Sequence, residues 1–174
     1  MSVNSTPDEV LRNTFIAALL ITGSPERGEA AVSHALESAT IDSVDETDLL
    51  LKTIAAALEY TRQLPLPSPH QRQMAATMLC SRLLSVLLLP VQYRQCFVLR
   101  ILAAMPNVIC ADLLLLTPSD IDAKAGLAAQ FLAQRMDAKA PSGFSPGATY
   151  QFVLDLVDGK DVEWRTLAAP DYLR

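Results

Sequence analysis

Two histidines, three cysteines and six glycines are all that 174 residues offer of the types most used for catalysis, metal binding and phosphate cradles. His34 and His70 stand in different parts of the chain, so neither a metal-ligand spacing nor a Ser-His-Asp order emerges. The glycines at 23, 28, 126, 143, 147 and 159 are scattered and build neither G-x-G-x-x-G nor a Walker pattern. Cys80, Cys96 and Cys110 are odd in number and contain no Cys-x-x-Cys pair, as expected of reduced cytosolic thiols. Cys96 and Cys110 lie among apolar residues, where cysteine acts as a small hydrophobe. The longest apolar run, 83–91, is too short to span a bilayer and contains Ser85 and Pro90. Residues 1–9 are polar and acidic, without a basic start and an apolar stretch. These absences predict a cytoplasmic protein with no catalytic residues, no metal, no cofactor and no membrane contact.

What is present is apolar substance. Hydrophobic residues make up 51% and charged ones 19%, the balance of a chain that folds on a core. The net charge of -5 is uneven. Residues 1–64 hold ten acids against four bases, 65–140 four against seven, and 141–174 five against three. Nucleic-acid affinity would therefore rest on the middle segment and a surplus of three cations, which is thin for neutralising phosphate.

Helix starts are marked by Ser or Thr followed by Pro, at Thr6-Pro7, Ser24-Pro25, Ser68-Pro69 and Thr117-Pro118. Each pairs an N-cap hydroxyl with a ring preset for the first helical position. Thr6 and Glu9 fit a capping box, and Asp120 sits where a helix N-terminus favours a carboxylate. The pattern predicts helices at 7–22, 25–39, 46–63, 69–88, 91–104, 107–115 and 118–136. Their apolar stripes include Leu50, Ile54, Ala57 and Leu58, and then Met74, Met78, Leu84, Leu87 and Leu88. The run 113–116 reads as buried helix, although four consecutive leucines need cover on every side. The break at 64–68 predicts a three-helix N-terminal unit (1–64) and a C-terminal unit (65–140). Beyond it, a tail (141–174) begins with Pro141, Gly143, Pro146 and Gly147. Tyr150, Phe152, Leu154 and Leu156 then alternate with other residues; Asp158-Gly159 follows, and Val162, Trp164 and Thr166 alternate again. A β-hairpin over 149–167 is expected, an interrupted terminal helix being the alternative. The fold class is thus mainly α: two small helical units and a C-terminal hairpin.

Residues 89–132 follow the order helix, short helix, tight turn and longer helix, the order of a helix-turn-helix. Leu89-Pro90, Tyr93-Arg94 and 97–100 (Phe-Val-Leu-Arg) resemble the entry to the DNA-binding region of extracytoplasmic-function sigma factors of bacterial RNA polymerase. Without a gap, Ala111, Leu113 and Leu114 then fall on that family's "iAelL" helix and Ile121 on the apolar position of its recognition helix. In the first half, Gly23 and 28–32 (Gly-Glu-Ala-Ala-Val) resemble the helix beginning "AEDlvq", and 50–58 resembles "WLyrIArN". The resemblance covers about residues 8–136 and leaves the tail outside.

That resemblance implies promoter recognition by the helix from Pro118, with Arg94, Arg100, Ser119 and Lys124 as the DNA-binding candidates. The residues depart from it in one direction. The family's recognition helix carries several Lys and Arg; here stand Asp120, Asp122, Lys124, Gly126, Leu127, Ala129 and Phe131. Base reading and phosphate neutralisation both need the missing types. Ala30 replaces an acid used against the polymerase, and Leu49, Ala56 and Ala57 replace Trp, Arg and Asn. An arginine on a helix also has an ordinary alternative, lying over apolar surface or pairing with an acid. Leu127, Phe131 and Trp164 become candidates for binding protein, Trp164 having hairpin packing as its simpler role. The leading expectation is a sigma-like regulator of transcription that is not an enzyme and acts through protein contacts with RNA polymerase or an anti-sigma factor, its DNA reading weakened or lost. The alternatives are a divergent promoter-binding sigma factor using Arg94, Arg100 and Lys124, and a helical enzyme or small-molecule-binding protein.

Overall fold

A computed structural model describes residues 7–38, 45–79 and 81–135, with all their side chains except those of 81, 82, 134 and 135. These residues are mainly helical and contain no strand. The helices are α1 (Pro7–Thr22), α2 (Pro25–Glu37), α3 (Glu46–Gln63), α4 (Pro69–Thr77), α5 (Ser81–Leu87), α6 (Val91–Phe97), α7 (Asn107–Leu114) and α8 (Pro118–Arg135), with a π-helical turn at Val98–Leu102. The expected hairpin at 149–167, and Trp164 with it, lies outside the described residues.

The pairs at Thr6-Pro7, Ser24-Pro25, Ser68-Pro69 and Thr117-Pro118 are each followed by a helix that starts on the proline. The Thr117 hydroxyl accepts from the Asp120 N–H at 3.1 Å, and the Ser24 hydroxyl takes the Arg27 N–H more loosely at 3.5 Å. Ser68 does more. Its hydroxyl accepts from the Gln71 N–H at 3.2 Å while the Gln71 carboxamide oxygen accepts from the Ser68 N–H at 2.9 Å. This reciprocal capping box satisfies two backbone donors that a helix start would otherwise leave orphaned.

The described residues divide into two compact units, and the division falls between Leu79 and Cys80. The break at 64–68 is therefore not the boundary, and the first unit holds four helices instead of three. α4 joins the first unit beside α2, where the Gln71 carboxamide donates to the Glu26 carboxylate. The helix expected over 69–88 is in fact two, α4 and α5, separated at Met78 and Leu79. The buried stripe also sits elsewhere than expected: Ala75 and Leu79 are buried in the first unit, and Leu83, Val86 and Leu89 in the second. Two cores claim successive turns of one apolar sequence, and tertiary burial outweighs the local periodicity that would have kept it a single helix.

In the first unit α1, α2 and α3 pack on one another. Every residue from Asn13 to Thr22 is buried, as a helix apolar on all faces requires. α3 contributes Leu49, Thr53, Ile54, Ala57 and Leu58, with Leu50 only half-buried. The α1–α2 approach is set by Gly28: a Cβ there would lie 3.2 Å from Phe15 Cε2 and 3.3 Å from the Leu19 backbone nitrogen. Backbone cannot retreat as a side-chain tip can. Gly28→Val is therefore expected to destabilise the chain by about 1–3 kcal/mol through overpacking, read as a lowered urea midpoint of the helical circular-dichroism signal.

Candidate functional site

The second unit assembles α5, α6, the π turn, α7 and α8 around Leu83, Val86, Phe97, Val98, Leu99 and Ile121. The helix expected over 91–104 changes pitch midway: α6 passes into the π turn, which closes with the Ala103 N–H donating to the Val98 carbonyl at 2.8 Å. Ala104 (φ 50°) then reverses the chain in the left-handed region. α7 ends the same way on Leu115 (φ 56°), which is 80% exposed. Leu113, Leu114 and Leu116 are half-buried, so the run 113–116 is not the buried helix its composition suggested. A tight reversal before Thr117 turns one of its four leucines outward and leaves the others partly wet.

Three polar side chains hold this corner in register. Arg100 Nε donates to Asp122 Oδ1 at 3.2 Å, and the Arg100 guanidinium also reaches the Met105 carbonyl at 3.4 Å. Asn107 Nδ2 donates to Asp122 Oδ2 at 2.7 Å and to the Pro118 carbonyl at 3.0 Å. Asp122 thereby ties the π turn and the start of α7 to the first turns of α8. The Asp120 carboxyl is held below the usual carboxylate range, chiefly by the Thr117 hydroxyl, which donates to it at 2.7 Å.

The candidate DNA-binding residues differ in exposure and in partners. Arg94 is only 7% exposed, and its Nη1 donates to the Leu87 carbonyl at 3.1 Å, closing the C-terminal end of α5. Arg100 is engaged with Asp122. Lys124 is half-buried, and Ser119 is exposed on the first turn of α8 beside Asp120.

The outward stripe of α8 runs Ser119, Ala123, Leu127 and Phe131, at four-residue spacing and without charge. Inward, the helix presents small residues around Ile121 and Leu132: Ala125, Gly126, Ala128, Ala129 and Ala133 are buried. Leu127 is 49% and Phe131 39% exposed, and across from them Leu88 is 63% exposed. Between the two sides lies a groove of about 510 Å³ lined by Leu88, Leu89, Pro90, Tyr93, Leu127, Ala128, Gln130 and Phe131. No ionisable group other than the Tyr93 phenol lines it, whereas two surface hollows of the first unit include Asp8, Arg12 and Glu29, or Lys52 and Glu59. Sequence reasoning reached Leu127 and Phe131 but missed Leu88 and Tyr93. It also missed the Arg100–Asp122–Asn107 cluster, since nothing in their spacing announces that three separate elements converge.

Cys96 and Cys110 are buried and reduced, and burial pushes both thiols up to about 11. Cys80 lies outside the described residues. No group of three or more His, Cys, Asp or Glu able to hold a metal occurs among the described residues, and no helix there is long and apolar enough to cross a membrane.

Two outcomes are expected. Asp122→Ala removes the acceptor shared by Arg100 and Asn107, and its cost, reduced by partial exposure, is about 1–2 kcal/mol in equilibrium unfolding. For the thiols, a pKa near 11 leaves the thiolate at pH 8 roughly a hundredfold scarcer than in an ordinary cysteine. In a Cys80→Ser chain, a disulfide reagent at pH 8 is expected to label neither remaining thiol until denaturant is added. Because the folded values lie above the ordinary 9.0, this contribution to stability is full below pH 9 and lost as the pH rises through 11.

No protein-family model matches the chain, and no curated protein or solved structure matches it.

Proposed function

We propose that the chain is a sigma-factor-like regulator of transcription that works by binding protein, with RNA polymerase or an anti-sigma factor as partner. Reading of DNA is weak or lost. The observation that carries this is the face of α8 a sigma-type reader would press into the major groove, which offers Ser119, Ala123, Leu127 and Phe131 beside an apolar groove. Apolar and aromatic residues in a groove are what protein interfaces desolvate; phosphate asks for cations.

The cations point the same way. Arg94 and Arg100, the two arginines that the family resemblance would lay on phosphates, are committed within the unit, one to a helix end and one to Asp122. The first unit supports loss of the promoter-melting surface: Leu49 and Ala57, at positions of Trp and Asn in the family, are core residues. The apolar frame of such a factor is kept and its polar working surface is not.

The test pairs two measurements on the purified full chain. Affinity for duplex promoter DNA is expected to be weak at physiological salt, with a slope of log K against log salt that does not change in Arg94→Gln or Arg100→Gln. Capture of RNA polymerase or an anti-sigma factor is expected, and Leu127→Asp should weaken it at least tenfold, about 1.4 kcal/mol. Tight, steeply salt-dependent DNA binding that loses about one unit of slope with each arginine would overturn the proposal in favour of a promoter-binding sigma factor.

A further inference from the structure

α7 has a weak hold on the second unit. Of its eight residues only Cys110 and Ala111 are buried, both small, with Leu113 and Leu114 half-buried. The π turn before it buries Val98, Leu99, Ile101 and Leu102 in half that length of chain. Apolar surface meanwhile stays in water on the outer side of α7, where Val108 is 65% and Ile109 37% exposed.

Three costs fall on the same element. Ala104 (φ 50°) stands where the chain enters α7 and Leu115 (φ 56°) where it leaves, and these are the two non-glycine residues of positive φ among the described residues. In that region a Cβ crowds the following carbonyl, so each adds strain that glycine would not. Between them, the Asn107 side-chain oxygen is buried without a hydrogen-bond partner, although its Nδ2 donates to Asp122 and to the Pro118 carbonyl. Strain of this kind persists only where the surrounding packing imposes it, and around α7 that packing is thin.

We infer that α7 is a hinged flap, which leaves the core as one unit between Ala104 and Leu115 while α6, the π turn and α8 stay folded. Opening relaxes both left-handed residues and hydrates the Asn107 oxygen. What it breaks is modest: the two Asn107 donations to α8 and the reach of the Arg100 guanidinium to the Met105 carbonyl. The Arg100–Asp122 pair joins the π turn to α8 directly and survives, so the frame keeps its register. An eight-residue helix is not stable alone in water, so α7 melts as it detaches, and Cys110 becomes accessible in the same event. The chain thereby has a second state that a partner can select without unfolding the unit.

Amide hydrogen exchange on the full chain tests this. The amides of 110–114 are expected to exchange at least about a hundredfold faster than those of 95–102 and 121–132, with similar protection across α7 and little dependence on urea below the unfolding midpoint. Leu115→Gly and Ala104→Gly, both at exposed positions, should each slow exchange in α7 severalfold and leave 95–102 unchanged. Ala123→Gly, at an exposed and ordinarily helical position of α8, should not slow it. Exchange of α7 at the rate and urea dependence of 95–102 would overturn the inference, because α7 would then open only with the whole unit. So would protection graded from one end of α7 to the other, which is fraying, or a failure of either hinge glycine to slow exchange.

Discussion

The close seating of α8 is the constraint on which the second unit turns. A helix whose inner face carries Ala125, Gly126, Ala128, Ala129 and Ala133 can approach its neighbours because those side chains are small, with Ile121 and Leu132 as the large residues driven inside. Two other large apolar residues of the same helix, Leu127 and Phe131, stand on its outer side, where they wall a groove with Leu88 and Tyr93. Packing economy inside and hydrophobic surface outside are two consequences of one choice of residues.

Electrostatics follows from the same seating. Once α8 lies against the π turn, Asp122 falls within reach of both Arg100 and Asn107, and the arginine's charge is spent across that junction. Arg94 is turned inward to finish α5. An arginine satisfied by internal acceptors is a poor phosphate ligand, because rebinding outward would leave a carboxylate or a carbonyl without its donor.

The first unit obeys a parallel rule. Gly28 lets α2 lie against α1 at a distance that any Cβ would crowd, and α1 is buried on all faces through its second half. α4 belongs here because Gln71 and Ala75 have partners here, although the proline-rich break at 64–68 reads as a boundary.

Local chemistry determined the helices. A hydroxyl before a proline favours a helix start, so the onsets at Pro7, Pro25, Pro69 and Pro118 were legible residue by residue, as were the mainly α class and the poverty of cations in α8. Leu127 and Phe131, which the sequence singles out, stand exposed on α8. Tertiary structure decided where one core yields to the next, splitting 69–88 at Met78 and Leu79, and which face of each stripe is buried. It also decided that Arg94 and Arg100 are engaged inside and that Leu88 and Tyr93 complete the groove. Those outcomes depend on residues far apart in sequence meeting at short range, and no pattern of local propensity encodes a distance between them.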